Sequence, residues 1–511
     1  MAIARTSGIA LVGLTPHVID VEADISPGLP GFWLIGLPDT ALGESRGRVR
    51  AAASNSGLPI TSRKLTVSLS PAALPKHGGG FDLAIALAAL AAAGDVPAES
   101  VASTVHIGEL GLDGRLRPTP GVLPSVIGAV KAGLTRVMVP TANAEEARLV
   151  PGIEVVPVAS LSEAAIRHGA ELDPLPVEPW PAPVERDDSN ERQADLAEVV
   201  GNEEAIEALI VAAAGGHHMF LLGPPGAGKT MLAERLPGLL PDLETDASLE
   251  ATSIRSLAGA PVTGLVTRPP FESPHHTATA AAIVGGGSGQ IRPGAAVRAA
   301  HGVLFLDEAP EFPGSVLDVL RQPLESGEIR IHRANAMATF PGRFQLVMAA
   351  NPCPCGQYNV GDTECTCAPS ARRRYLAKIS GPLLDRVDIR LTVRRVTAAH
   401  LKLAEGKART TTAEARARVA HAREAAAERL AETPWRTNAD VPGSWLRERV
   451  RMLPRGTTST LDRALERGAI TMRGYDRSLR LAWSIADVEG AAHPTSEHVS
   501  TALYLRKGVG A

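Results

Sequence analysis

The chemistry in this sequence is concentrated in one octapeptide. Gly223, Pro224, Pro225, Gly226, Ala227, Gly228, Lys229 and Thr230 fit the pattern G-x-x-x-x-G-K-[ST] at every fixed position. Glycines at these places let backbone N–H groups curl around phosphate oxygens, and the start of a following helix adds partial positive charge. Lys229 is then placed for the β- and γ-phosphates and the Thr230 hydroxyl for Mg²⁺, so the implied ligands are ATP and Mg²⁺. An ordinary Gly/Pro-rich turn would also explain the octapeptide alone, but a partner motif lies downstream. Val303-Leu-Phe-Leu306 is an apolar run that ends on Asp307 and Glu308. Runs of this form are buried strands of parallel sheets, and ligands bind where such strands end. Asp307 would hold the Mg²⁺ shell and Glu308 would polarise the attacking water. A further buried strand, Gln345–Ala350, ends on Asn351, a polar group able to orient that water.

Four cysteines follow at once: Cys353, Cys355, Cys365 and Cys367. Four thiolates this close together can surround one tetrahedral Zn²⁺; free or redox-active thiols are the alternative. A secreted disulfide framework does not fit cysteines confined to one short stretch. His275 and His276 are adjacent and so are expected to point in different directions, which suits a phosphate contact or a plain loop better than a metal. Arg386 is the candidate for an arginine finger reaching the γ-phosphate bound by a neighbouring subunit. The competing reading is a salt bridge to Asp385 or Asp388. Arg473, Arg477 and Arg480 share one helical face at i, i+4 and i+7. Either one of them senses nucleotide across a lid, or all three are solvated.

These groups need a parallel α/β scaffold to bring them together. Met219–Leu222 reads as the strand before the octapeptide, Met231–Arg235 as the helix after it, and Ala205–Ala214 as another helix. Val316–Glu325 reads as helical, with Pro323 kinking or ending it. Glu328–Arg333 and Ala336–Phe340 alternate as two arms of a hairpin, with Arg330, His332 and Arg333 at or near its tip. The stretch from Ser253 to Ala300 shows no obvious hydrophobic period and is expected to be functional or disordered.

Upstream, Val18–Asp24, Leu65–Leu69 and Arg136–Pro140 read as strands and Phe81–Ala93 as a buried helix, so residues 1–172 form a compact α/β domain. Closely spaced prolines make 173–194 an extended linker, on which Trp180 is a candidate docking residue. Residues 396–511 are mostly helical, with the exposed face of Ala413–Leu430 expected to be solvated. A chain of 511 residues exceeds what one core supports. Its net charge of −3 gives no bulk argument for nucleic acid, so any DNA site would be a local basic surface. The N-terminus has no basic region leading into a sustained apolar stretch, and the run Leu83–Ala93 is too short to cross a bilayer. A cytoplasmic protein without a membrane partner is expected.

Leu74-Pro-Lys-His-Gly-Gly-Gly-Phe-Asp82, Gly114-Arg-Leu-Arg-Pro118 and Lys131–Pro140 resemble the proteolytic domain of Lon proteases. That resemblance implies the Lon-like, S5 domain 2-like fold for residues 1–172. It places the family's serine at Gly80 and its lysine near Leu123, leaving a peptidase neither nucleophile nor base. A scaffold or assembly role is expected instead. With Gly223–Thr230, Pro274-His-His276, Leu304–Glu308, Asn351–Gly356, Gly381–Arg386 and the helical tail, nearly the whole chain resembles the magnesium-chelatase-like AAA+ ATPases of the ComM/YifB family. The resemblance implies a AAA+ core over 195–395, a helical lid over 396–511, and a hexameric ring that hydrolyses ATP. In ComM-type members the ring moves branched or single-stranded DNA as a branch-migration helicase during natural transformation. Backbone around Val200 and Gly201 would cover the adenine. Lys229, Thr230, Asp307, Glu308 and Asn351 would act in cis and Arg386 in trans, with Arg473 as the lid sensor. The cysteine cluster belongs to only some members. Two other readings stand beside this one: the motor subunit of a complex inserting metal into a porphyrin, and a nucleotide-switched scaffold. Intact Glu308 and Arg386 argue against the last.

Overall fold

The computed structural model describes residues 2–36, 44–60, 63–76, 78–173, 177–181, 194–287, 291–333, 336–358, 365–399, 402 and 408–508. Strands β1 (Ala2–Val12) and β2 (Thr15–Ser26) form a long hairpin paired from Ala2↔Ile25 to Val12↔Thr15. Alternation buries Ile19, Val21, Ala23 and Ile25. The hairpin is the centre of a seven-stranded sheet, completed by β3 (Gly31–Ile35), β4 (Lys64–Ser70), β5 (Val105–His106), β6 (Arg136–Pro140) and β7 (Glu154–Val158) in the order β3-β4-β2-β1-β5-β6-β7. Two helices complete the layer that matters here. α1 (Ser45–Asn55) carries Arg48, and α2 (Asp82–Ala93) is apolar on every side and packs on β1 and β2. The one charge at its start, Asp82, is fully buried and is held by Ser45, Arg48 and the Leu110 amide.

The Lon-like domain does not stand apart from the rest. Its helix α3 (Val122–Lys131), which precedes α4 (Leu161–Arg167) in the chain, meets α7 of the core (Thr245–Leu257): the Gly121 amide donates to the Ser256 carbonyl at 3.0 Å. The hairpin tip, Leu11 to Leu14, packs into the apolar cluster that holds Phe340. Leu123, at the position where the resemblance puts a catalytic lysine, is fully buried and its amide faces Ser256 Oγ. A Cβ placed on Gly80 would meet only the Thr119 methyl, at 3.6 Å. Most of the 173–194 linker lies outside the described residues, but Trp180 does dock: it lies 4.8 Å from the Arg115 guanidinium, against the Lon-like domain.

The core is a five-stranded parallel sheet. In chain order, α5 (Glu203–Gly215) leads into β8 (Met219–Leu222), α6 (Lys229–Leu239) and α7; β9 (Phe271–Glu272) and β10 (Val303–Leu306) follow. The hairpin β11 (Glu328–Arg333) and β12 (Ala336–Pro341) comes next, then β13 (Gln345–Ala350), α8 (Pro369–Leu376) and β14 (Ile389–Thr392). Sheet order is β9-β10-β13-β8-β14, with β13 central and β8 beside it. Such a sheet reads as continuous apolar runs, and β10 and β13 are buried at every residue.

Two expectations change and one holds. Residues 253–300, expected to be functional or disordered, are built into the fold over much of their length: α7 ends within them, and Ile283, Ile291, Ala295, Ala296, Val297, Ala299 and Ala300 are buried in the core. Residues 288–290 of the glycine run lie outside the described residues. As expected, the helix over 316–325 is interrupted at Pro323: the segment runs as the short pieces Gly314–Asp318, Val319–Arg321 and Pro323–Ser326, because the proline ring cannot continue the preceding ladder. The arginines of α9 (Thr412–Leu430) are anchored, not merely solvated. Arg416 and Arg418 pair with Asp242 and Glu207, Arg423 donates to the Ala213 carbonyl, and Arg429 grips Asp487 of α10 (Met472–Val488). Their long stems let a polar face clasp the core. Among the described residues no helix is long and apolar enough to cross a membrane.

Candidate functional site

Gly223 follows β8 where a side chain has no room: a Cβ would lie 2.3 Å from the Val393 carbonyl oxygen. The loop then turns on Gly226 and Gly228 at φ +73° and +91°, conformations that favour glycine. A Cβ on either would meet nothing within 4 Å, so the backbone lines an open cradle. Gly228 caps α6, which brings the positive end of the helix to that cradle.

Three strand ends converge there. Lys229 Nζ donates to the carbonyls of Gly223 at 2.6 Å and Pro224 at 3.0 Å, and to Asn351 Oδ1, beyond β13, at 3.1 Å. Burial lowers the pKa of the ammonium, and the Asp307 and Glu308 carboxylates oppose that shift. Thr230 Oγ1 donates to Asp307 Oδ2, at the end of β10, at 2.8 Å. A cradle, a buried ammonium and a hydroxyl–carboxylate pair of hard oxygens fit a Mg²⁺–triphosphate. When bound, the nucleotide brings the phosphoanhydride and the metal brings the charge that polarises it.

Glu308 is one of two non-glycine residues at positive φ among those described, at +51°. Left-handed backbone costs a residue with a side chain roughly 1–2 kcal/mol, and such strain marks functional positions. The Glu308 amide donates to Asp307 Oδ1 at 2.9 Å. Its Oε2 lies 3.3 Å from His276 Nδ1. His276 and His275 do not diverge as expected: their ring centroids are 4.1 Å apart and the planes only 33°. Divergence is a property of extended strands, and these residues occupy a loop and turn beyond β9.

Val200 and Gly201 precede α5, with Gly201 at φ +73°. Their neighbour Asn202 donates to the carbonyls of Ala227 and Arg394, each at 3.4 Å, tying this segment to the cradle and to the chain beyond β14. Cys353, Cys355, Cys365 and Cys367 gather beside Asn351 with all four sulfurs within 4.8 Å of one another. Residues 359–364 between the pairs lie outside the described residues.

Arg386 and Arg473 sit elsewhere. With Gly216, His218, Gln345 and Asp388 they line a cavity of about 1080 Å³. These last residues mark the amino ends of β8, β13 and β14, whereas Lys229, Asp307 and Asn351 follow carboxyl ends. The two arginines therefore occupy the opposite edge of the sheet from the cradle of their own chain. Neither salt-bridge partner named for Arg386 is the one found: it pairs with Glu325 and donates to the Pro382 carbonyl. Asp388 is instead taken by Arg477 at 2.7 Å and approached by His217 at 3.3 Å. Burial would raise the Asp388 carboxyl, but Arg477 and His217 hold it well below the usual range. Arg480 donates to the Val441 carbonyl, and Arg473 is exposed. Burial, followed by the like charges of Arg473, Arg321 and Arg477, lowers the Arg386 pKa. On the hairpin, Arg330 pairs with Glu328 and His332 is exposed; the Arg333 side chain is outside the described residues.

Sequence reasoning missed His276 as a partner of Glu308, Glu325 as the partner of Arg386, and Tyr375. Burial pushes the Tyr375 hydroxyl up to about 12, with Glu311 and Glu308 adding to it, and the Asn351 amide donates to it. Only the Pro274-His-His276 triplet gave any signal in one dimension.

Three family descriptions match successive parts of the chain. Residues 195–401 match the family described as magnesium chelatase, subunit ChlI; residues 21–143 match subunit ChlI of Mg-chelatase, and 409–506 match the ChlI C-terminal region. The chain is 49% identical over 516 residues to an uncharacterized protein of Mycobacterium tuberculosis, covering 99% of both. It is 39% identical to YifB of Escherichia coli, covering 97% of this chain and 96% of that one. To the competence protein ComM of Haemophilus influenzae it is 38% identical, covering 99% and 98%. A shorter similarity, 30% over 178 residues, relates 33% of this chain to 22% of the Lon protease of Mycolicibacterium smegmatis.

Proposed function

Because the chain belongs to the YifB/ComM family of magnesium-chelatase-like AAA+ proteins, we propose that it is a cytoplasmic ATPase that works as a hexameric ring moving DNA. The observation that carries the ATPase reading is the convergence of Lys229 on Asn351 and of Thr230 on Asp307 at one edge of the sheet. Lys229 and the cradle amides hold the β- and γ-phosphates, and Thr230 and Asp307 hold Mg²⁺. Glu308 takes the proton of the attacking water while Asn351 orients it. Backbone at Val200 and Gly201 covers the base. Arg386 and Arg473, at the far edge, serve the nucleotide of the adjacent subunit, with Arg386 stabilising charge there. Four thiolates beside Asn351 take one Zn²⁺.

DNA is favoured by the competence role in the Haemophilus relative's name and by the exposed Arg330 and His332 on a hairpin. On a chain of net charge −3, a local basic hairpin lining a pore is the route to phosphate contacts. The chelatase family description supports a second reading, a motor for metal insertion into a porphyrin. The test is ATP hydrolysis by the full chain with and without four-way-junction DNA, beside Lys229→Ala. Severalfold stimulation that Lys229→Ala abolishes is expected; hydrolysis indifferent to every DNA, but raised by a porphyrin-binding partner, would favour the second reading.

A further inference from the structure

The four cysteines are joined mechanically to the nucleotide cradle. Cys353 Sγ lies 3.3 Å from Cys355 Sγ and 3.6 Å from Cys365 Sγ, and Cys355 and Cys365 are 3.6 Å apart. A ZnS₄ tetrahedron with bonds of about 2.3 Å has edges of about 3.8 Å, close to these spacings. The backbone amides of Gln357 and Cys367 point at the sulfurs of Cys355 and Cys365, the second layer of hydrogen bonds that a thiolate–metal centre uses.

Three contacts lead from this centre to the site. Asn351, two residues before Cys353, accepts from Lys229 Nζ. Gly356, at φ +75°, abuts the cradle so closely that a Cβ would lie 2.7 Å from both Cγ and Cδ of Pro225. On the far side, α8 carries Tyr375, whose hydroxyl accepts from the Asn351 amide, and Arg372, which lies 4.0 Å from the ring of Tyr358. The described residues before and after the outer cysteines, 351–358 and 365–376, therefore both reach Asn351.

We propose that Zn²⁺ bound by Cys353, Cys355, Cys365 and Cys367 clasps this loop, so that the metal fixes both Asn351 and the Pro225 wall of the cradle and sets nucleotide affinity. A structural zinc bound by four thiolates adds a rigid tie that side-chain contacts alone do not give a short segment. The inference rests on the nucleotide reading of the cradle.

The test uses full-length protein and reads zinc and binding, not turnover. Metal analysis of wild type should give one zinc per chain, and X-ray absorption should give four sulfurs at about 2.3 Å. Affinity for a fluorescent ATP analogue is then compared with Gly356→Ala, which disturbs the seat on Pro225 while leaving all four thiols. The expected result is zinc retained and affinity about fivefold to thirtyfold weaker. Cys365→Ser/Cys367→Ser should lose zinc and weaken binding at least as much, with thermal melting confirming that the chain still folds. Wild type purified from zinc-replete cells with four titratable thiols and no zinc, or with iron in its place, overturns the site. Gly356→Ala with full zinc and unchanged affinity overturns the clasp. Zinc-loaded wild type that binds no ATP analogue overturns the nucleotide reading beneath it, while the metal analysis still stands.

Discussion

His276 Nδ1 lies 3.3 Å from Glu308 Oε2, and Glu308 is itself held in left-handed backbone at φ +51°. The carboxylate is therefore fixed from both ends, by its strained main chain and by an imidazole from the loop beyond β9. His276 touches neither Lys229 nor Thr230 through any hydrogen bond among the described residues, so its effect should pass through Glu308 alone. His276→Ala should lower kcat about tenfold and leave the KM for ATP within about twofold, a small part of the 10²–10⁴ that a positioned base contributes. Steady-state kinetics decide it. A raised KM at unchanged kcat would place His276 on the nucleotide instead.

Glu308 and Lys229 should separate chemistry from binding. Glu308→Gln keeps the shape and the Asp307 contact of the Glu308 amide but cannot take a proton; kcat should fall about 10²–10⁴-fold with ATP still bound. Lys229→Ala removes the buried ammonium that spans Gly223, Pro224 and Asn351, so binding itself should be lost. Equilibrium binding of a fluorescent nucleotide, run beside hydrolysis, distinguishes the two variants.

The convergence of Lys229, Thr230, Asp307 and Asn351 was legible in the sequence because its parts are local: a fixed octapeptide, then strands that run directly into the acids and the amide. The hairpin was legible for the same reason, through its alternation. The pairings were not. Arg386 meets Glu325 across 61 residues of chain, and two nearer acids looked equally suitable. His276 meets Glu308 only because a turn carries it there, and periodicity carries no information on turns of this length. The arginines of α9 show the limit of amphipathic reasoning: spacing identifies a polar face but not whether water or Asp242 and Glu207 will meet it.

Two buried histidines should make the Lon-like domain sensitive to acid. His106 and His168 face each other with Nε2 atoms 2.9 Å apart, and their other nitrogens meet Thr6 Oγ1 and Ser100 Oγ. Burial, with Arg136 nearby, lowers His168 to about 4, and burial with His168 and Arg136 holds His106 well below its ordinary value. Both folded pKa values lie below the unfolded value near 6.5. The unfolded chain therefore binds more protons below that pH, and stability falls as pH drops from about 6.5 towards 4. For His168 alone the loss reaches roughly 3 kcal/mol at pH 4. Melting temperatures measured between pH 7.5 and 5, above most carboxylate titration, should decline, and His168→Gln should flatten the slope. A slope unchanged in that variant would assign the acid sensitivity to other groups.

Arg386 and Lys229 lie at opposite edges of one parallel sheet, so a site that needs both must draw them from two chains. That geometry predicts complementation. Arg386→Ala leaves a chain with an intact cradle and no finger; Lys229→Ala leaves a chain with a finger and no working cradle. Arg386→Ala alone should be at least 10³-fold impaired in kcat, the lower end of what an arginine finger contributes, and Lys229→Ala alone should be inactive because it does not bind ATP. In a mixture allowed to exchange subunits, interfaces that pair the cradle of the first with the finger of the second are complete. In a randomly mixed ring about a quarter of interfaces meet that condition, so ATPase activity should recover well above the sum of the separate variants, as expected where a group acts in trans. Arg386 also pairs with Glu325, which is itself mostly exposed, so Glu325→Ala frees the guanidinium and should not reproduce the Arg386→Ala loss. Titrating one variant against the other at constant total protein gives the curve. A maximum near equal proportions supports action across the interface, and a straight line between the two low rates would place Arg386 in a structural pair with Glu325.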